Sequence, residues 1–357
     1  MSTQRNPINP TKLIDLGGAL ETIEPQFGRF ANSGLFTEDG ITTKSHIYKD
    51  KYSDVTKMTG LTSYTERDAV ALEREEDKYI TMAGVTHKIT GGVTSEDLEG
   101  QLEGVFEIQA PEVQDEILKE LTRMANTASA NYEWMIVGAT KGVVTDPRTG
   151  VEKINAFTNT GKVRPTATIT AGATDDIRAS LVALMNQLSE LNGDNGNVNE
   201  VEIVLDQGGF NAIVNHPDFV AQYQMAYQGR GAEALGIPQL NGTTGLLQKN
   251  QYGWSQTFRF ENLVFTTYPQ KFRKWNGERV GVTESMKGWT IPKGLSDLYH
   301  VKFTPKSGFS HLNKKGQKWY AYSTGVIDDQ HIDMTLEQNL IPFMKRPEMS
   351  IDITVTV

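Results

Sequence analysis

Six histidines, His46, His87, His216, His300, His311 and His331, are the first residues to test for chemistry. An imidazole can ligate a metal or exchange a proton near neutral pH. None pairs with another at i,i+3 or i,i+4, the spacing that sets two ligands on one helix face, so no helical metal motif is present. Each reads as a surface or core histidine. Two glycine pairs, Gly91-Gly92 and Gly208-Gly209, lie outside any G-x-x-x-x-G-K-[ST] or strand-linked G-x-G-x-x-G context. The second pair does follow a strand pattern and open a helix, where backbone N–H groups could cradle an anion. A tight strand-to-helix turn explains it more simply. Adjacent carboxylates such as Asp175-Asp176 and Asp328-Asp329 arise by chance among 44 acidic residues, and the first pair sits where helix N-terminal acids belong. No G-x-S-x-G occurs. With 0 cysteines, disulfides, thiolate nucleophiles, Zn–Cys sites and Cys-ligated Fe–S clusters are excluded. The expectation is therefore no catalytic, cofactor-binding or metal site, no cofactor, and no enzyme.

The remaining constraints come from bulk. A chain of 357 residues exceeds the usual single-core size, so two or more packed regions are expected. Its formal charge of −9, from 35 Lys and Arg against 44 Asp and Glu, argues against a dedicated nucleic-acid binder, which needs clustered cations to neutralise phosphates. The first residues, MSTQRNPINPTK, contain no apolar stretch, and no 18-residue apolar run occurs anywhere. A soluble chain made in the cytoplasm, with no membrane partner, is expected.

Residues 1–45 read as an arm, broken by Pro7, Pro10 and Pro25, with a short helix over Lys12 to Ile23. Residues 46–100 are polar and read as a long two-stranded excursion rather than a packed domain. They carry a charge cluster at Glu73, Arg74, Glu75, Glu76, Asp77 and Lys78, and alternation at Tyr79 to Met82 and Val85 to Ile89. A solvated loop is the plain alternative, although loops of this length are uncommon unless functional or disordered. At Pro111 a helix begins, with Glu112, Asp115 and Glu116 at its positive end. Val113, Ile117, Leu121, Met124, Ala128, Tyr132, Met135 and Ala139 form one continuous apolar stripe along it, closed by Lys141 and Gly142. Such a helix spans roughly 45 Å. It has the proportions of a spine, although an ordinary core helix would carry the same stripe.

A second helix is expected from a Thr174 cap through Leu191, and a strand over Val201 to Leu205. Helix interrupted at Pro217 should cover Phe210 to Gln224, with short strands from Trp254 to Val282. The final residues, Ser350 to Val357, alternate strictly and should end the chain in a strand. The class is α+β.

Several stretches, in order, resemble the lambda gpE-like family of phage major capsid proteins. They are Val93 to Gly100 before the spine, Asn131-Tyr132-Glu133-Trp134-Met135, and Gly138 to Asp146. After these come Asn155-Ala156-Phe157-Thr158-Asn159-Thr160-Gly161, Ile291-Pro292-Lys293-Gly294 before Phe303-Thr304-Pro305, Gln338 to Pro342, and Arg346-Pro347-Glu348. The likeness covers roughly residues 25 to 357. It implies the HK97-type capsid fold: an N-arm over 1–45, an extended E-loop over 46–100, and a P-domain built on the spine helix over 101–170. An A-domain follows over 171–340, with some returning P-domain strands, and a C-terminal P-domain strand over 341–357. It also implies a head protein that assembles with itself into hexamers and pentamers of an icosahedral shell around packaged double-stranded DNA. No Lys/Glu-rich helical extension is visible, so a separate scaffold protein is expected. A portal at one vertex is expected too, a decoration protein can be accommodated outside, and DNA contact should be weak and non-specific. The place of action would be the virion head, assembled in the host cytoplasm.

On this reading the working residues are contact residues. Glu66, Arg67, Asp68 and the cluster from Glu73 to Lys78 are the expected intersubunit charge patch. It would give register rather than strength, because exposed ion pairs contribute ~0–1 kcal/mol each. Val113, Ile117, Leu121, Met124 and Trp134 are the expected spine core, with the first three anchoring the spine to a sheet. Two other readings stand beside this one: a cellular encapsulin-like nanocompartment shell, and a carboxylate-dependent hydrolase working as a soluble monomer.

Overall fold

A computed structural model describes residues 28–50, 78–94, 110–193, 198–221, 247–327 and 331–357, except 251, 252, 269, 296, 309, 310 and 312. The short helix expected over Lys12 to Ile23 lies outside the described residues.

The chain opens with β1 (Thr37–Gly40), β2 (Ser45–Lys49), β3 (Tyr79–Ala83) and β4 (Val85–Thr94), then enters the long helix α1 (Ala110–Thr140). Next come β5 (Val143–Thr145), β6 (Glu152–Asn155), α2 (Ala156–Thr160), β7 (Thr166–Thr170), α3 (Ile177–Asn192), β8 (Glu200–Leu205) and α4 (Gln207–Val214). Six shorter strands follow: β9 (Leu247–Asn250), β10 (Gly253–Phe260), β11 (Leu263–Thr267), β12 (Phe272–Arg273), β13 (Arg279–Val280) and β14 (Lys287–Lys293). The chain ends with β15 (Tyr299–Phe303), β16 (Tyr320–Ile327), β17 (His331–Met344) and β18 (Asp352–Thr356).

Two sheets organise these elements. The larger has the order β7-β18-β14-β8-β11-β10-β9. Its central strand β8 is buried from Val201 to Leu205, as a strand covered on both faces should be, with the Glu202 carboxylate paired. Helix α3 packs on β7 through Ile177, Leu181, Leu184 and Leu188, all within 4% exposure. The second sheet has the order β1-β15-β17-β16, with β4 on β17. Its organiser is the 14-residue β17, which pairs antiparallel with β4 and β16 along its first part and with β15 from Leu340 to Met344.

The spine α1 has 31 residues, ~46 Å at ~1.5 Å per residue. It joins two separate cores. Leu121, Met124 and Ala128 pack with Val93 of β4 and with Met334 and Leu336 of β17 in a small cluster, and Ile117 borders it. Tyr132, Met135, Ile136 and Ala139 belong to the main core, with α3, β8 and β14. Leu121 and Met124 thus sit where a spine core requires. Trp134 is only half-buried: its ring meets Phe272 edge-on at 5.4 Å and its indole N–H donates to the Thr145 carbonyl at 3.0 Å. Val113 lies on the helix, and Ile117 is partly exposed.

Other expectations shift in detail. The cap of α3 is Asp176, not Thr174, because its carboxylate accepts the Ala179 N–H at 3.0 Å. Helix α4 starts at Gln207 and ends at Val214, and helical backbone resumes over 217–221 after Pro217. The strand begun at Val85 runs on to Thr94. The described part of the polar excursion is better packed than its composition suggests, since Tyr48, Ile80 and Met82 all enter the main core. The blocks around Gly138 and Phe157 form one unit. Gly142 turns the chain at φ +75°, and a Cβ there would lie 2.7 Å from the Phe157 ring. The Asn155 side chain caps α2 through the Thr158 N–H.

Replacing Leu121 with Ala should cost about 2–5 kcal/mol in urea unfolding, because it empties the small core. Ile117→Asp, at the rim, should cost less than Leu121→Asp. Equal losses would show that the small cluster does not hold the spine.

Candidate functional site

Residues 29–31, ahead of β1, join the body through a buried polar network. Glu133, mid-spine and 0% exposed, accepts the backbone N–H groups of Phe30 at 2.8 Å and Ala31 at 2.9 Å, and the Tyr268 hydroxyl at 3.0 Å. Burial pushes its carboxyl up and those donors pull it back, leaving it above its ordinary value. Arg29 reaches Glu202 at 2.6 Å and the Thr267 carbonyl at 2.7 Å, and its guanidinium lies over Phe30 and Tyr268. Burial also pushes Glu202 up. Arg29 and Lys293, with the Thr266 hydroxyl, more than offset it and hold that carboxyl low. One residue along the spine, Tyr132 donates to Glu38 of β1 at 2.6 Å. Nothing in the sequence singled out Glu133 beyond its place in the Asn131 to Met135 block, because its partners are 102 to 135 residues away.

The segment 51–77 springs from a second root. Strands β2 and β3 pair from Ser45↔Ala83 to Lys49↔Tyr79, and the Asp50 N–H donates to the Lys78 carbonyl at 2.8 Å. Their inner face buries Tyr48, Ile80 and Met82, while Ile47 and Tyr79 stand 60% and 64% exposed on the other. Of the expected charge patch, Glu66, Arg67, Asp68, Glu73, Arg74, Glu75, Glu76 and Asp77 lie outside the described residues. Lys78 sits at the root, where its amine donates to the Thr160 carbonyl of its own chain at 2.6 Å. Beneath the root, the His46 and His300 rings both lie against Phe343, at 5.5 and 5.4 Å. His300 Nε2 faces the Asp297 carbonyl at 3.1 Å and the Asp297 carboxylate at 2.8 Å. Burial lowers both imidazoles, and Lys302, Lys345 and their mutual repulsion lower His46 further, against a smaller pull from Asp39.

A cleft of about 730 Å³ opens where the spine ends. Trp134, Lys141, Arg164, Lys287, Trp289 and Asp352 line it. The Lys141 amine donates to the Val282 carbonyl and lies 4.4 Å from the centre of the Trp289 ring; burial draws it down to about 8. Arg164 pairs with Asp352 at 2.6 Å, and Lys287 with Glu284. These paired charges neutralise one another.

The other candidate groups have structural uses. The Gly208 and Gly209 N–H groups donate to Asp206, so a carboxylate of the chain itself fills that cradle. Asp175 accepts the Gly172 N–H and Asp176 caps α3; Asp328-Asp329 lies outside the described residues. His87 bonds Asn131, His216 bonds the Gly172 carbonyl, and His311 meets Tyr320 edge-on. Among the described residues no three His, Asp or Glu side chains gather as metal ligands, and no helix is long and apolar enough to cross a membrane.

Glu133→Ala should leave two backbone N–H groups without their acceptor and lower stability by about 2–4 kcal/mol in urea unfolding. A loss below about 1 kcal/mol would mean the network does not hold the arm. The histidine pair gives a pH dependence. Both folded-state values lie below the ordinary 6.5, so the packed root is most stable above 6.5 and weakens as pH falls below it. Hydrogen exchange corrected for intrinsic rates should show β2 and β3 losing protection from pH 7 to pH 5, and His46→Phe should flatten that response.

With this geometry in hand, comparison with known proteins is direct. The model of the family "phage major capsid protein E" matches residues 13–355. The chain is 20% identical over 375 aligned positions to the major capsid protein of Salmonella phage Felix O1 (isolate Felix O1-VT1), covering 96% of this chain and 95% of that one. It is 23% identical to the major capsid protein of Pseudomonas phage KPP10, covering 96% of each. A crystal structure described as a prophage capsid protein of E. coli CFT073 superposes with a TM-score of 0.52 at 10% identity, covering 95% of each chain. The α+β architecture is therefore of the HK97 type, its role in the family is structural, and the chain belongs to the phage major capsid protein E family.

Proposed function

We infer that this chain is the subunit of an icosahedral phage head, assembling as hexamers and pentamers around packaged double-stranded DNA and performing no catalysis. One observation carries the reading beyond family membership. The described residues that border 1–27 and 51–77 are fixed by buried contacts, Phe30 and Ala31 on Glu133 and the β2–β3 pair through Tyr48, Ile80 and Met82. A rigid root aims an extended segment at a neighbour, where many weak contacts repeated around closed rings sum to a strong shell.

The division into N-arm (1–45), E-loop (46–100), P-domain (101–170 and 341–357) and A-domain (171–340) fits this use. The 340/341 boundary falls inside the continuous strand β17. A separate scaffold protein during assembly in the host cytoplasm, a portal at one vertex and a decoration protein outside complete the partners. The acidic balance of −9 suits a wall that should not hold DNA tightly. Electron microscopy of the purified chain should show capsomer rings or icosahedral particles. Strict monomers at high concentration, with scaffold supplied, would overturn the reading.

A further inference from the structure

Residues 298–327, from just before β15 to the end of β16, hold five lysines and no Asp or Glu. At the chain's average of 44 acids in 357 residues, such a stretch would carry about four. This is a local reversal of charge on a protein of net −9. Two of the five lysines are paired, Lys302 with Asp39 at 3.2 Å and Lys318 with Glu38 at 3.3 Å. Lys306, Lys314 and Lys315 have no carboxylate within ion-pair distance among the described residues. Nor has Lys44, whose amine donates to the Ser307 hydroxyl at 3.1 Å.

Lys44 and Lys306 converge on a pocket of about 420 Å³. Thr42, Ser307, His311 and Asn313 complete its polar lining, and among the described residues no carboxylate lines it. Its walls come from two segments, the turn between β1 and β2 and the connection from β15 to β16. Backbone hydrogen bonds fasten these segments together: the Ile41 N–H donates to the Phe303 carbonyl at 2.8 Å, and the Gly316 N–H to the Ile41 carbonyl at 2.9 Å. Gly316 permits the approach, since a Cβ there would lie 2.1 Å from the Phe303 carbonyl oxygen. The walls are therefore held together before anything binds, which spares a ligand the cost of ordering them.

An ammonium group drawn out of water without a counter-ion is costly. Lys306 is in that position. Its amine lies 2.9 Å from the centre of the Tyr322 ring, and burial draws it below the ordinary lysine value. Glu337, whose charge favours the ammonium, is already bonded to Lys88 at 3.3 Å. The lining thus offers donors from Lys44, Lys306, Thr42, Ser307 and Asn313, and both lysines lack a carboxylate partner. A phosphate group carries a near-double charge and several acceptor oxygens in one compact body, which matches that set better than a single carboxylate does. We propose that this pocket binds the phosphate group of a small free anion, with Lys44 and Lys306 as charge partners and Thr42, Ser307 and Asn313 as neutral donors. The site is independent of the shell reading, because it is built from one chain.

Reductive methylation of the purified full-length chain, read by peptide mass spectrometry, measures the access of each lysine. Pyrophosphate is the probe, and potassium chloride at equal ionic strength is the control for screening. Once pyrophosphate exceeds its dissociation constant about tenfold, modification of Lys44 and Lys306 should slow about tenfold. Lys153, exposed on β6, should be unaffected. Protection of Lys44 should be lost in Lys306→Gln, and protection of Lys306 in Lys44→Gln. Equal protection by chloride would overturn the proposal, as would protection of Lys44 that survives Lys306→Gln. So would a short DNA duplex protecting both lysines where pyrophosphate does not, because the surface would then read a polymer backbone. Should both variants misfold, the wild-type comparison of pyrophosphate with chloride decides alone.

Discussion

The buried carboxylate of Glu133 is the constraint on which the rest of the molecule turns. A charge taken out of water in mid-helix is costly unless its lone pairs are satisfied. Here satisfaction comes from two distant parts of the chain, the backbone at Phe30 and Ala31 and the hydroxyl of Tyr268 just past β11, with the Arg29 charge nearby. The network therefore fixes the residues before β1, the spine and the large sheet at β8 and β11 relative to one another. Apolar packing tolerates small slides between elements, whereas donors aimed at one carboxylate do not.

The spine converts this local precision into reach. Its first half packs on β4 and β17 and its second half lies in the main core, so one stiff helix sets the two sheets in register. Two more regions are tied to this frame. Phe30 and Ala31 bond to Glu133, and the inner face of the β2–β3 pair is packed in the same core.

Much of this was legible in the sequence wherever one physical rule acted alone. The 3.6-residue stripe revealed α1, the β-branched and apolar Val201 to Leu205 stretch revealed β8, and strict alternation revealed β18, whose Ile353 and Val355 are buried. Placement failed where a local competition decided. Asp176 displaced Thr174 as the α3 cap because its carboxylate reaches the Ala179 N–H. Glu133 was hidden for a deeper reason. A glutamate beside an apolar stripe normally faces water, and what reverses that expectation is tertiary, at separations above 100 residues. The family blocks were informative because they mark such unions, as in the packing of Phe157 against Gly142.

The topology also sets the timing of maturity. Strand β1 pairs with β15, β4 with β17 and β7 with β18, each across most of the chain. The terminal strand β18 lies inside the large sheet between β7 and β14, not at its edge. Neither sheet can close until β17 or β18 has been made, and pairings this distant in sequence form slowly. The order of synthesis thus leaves β1, β4 and β7 without their partners until β15, β17 and β18 are made.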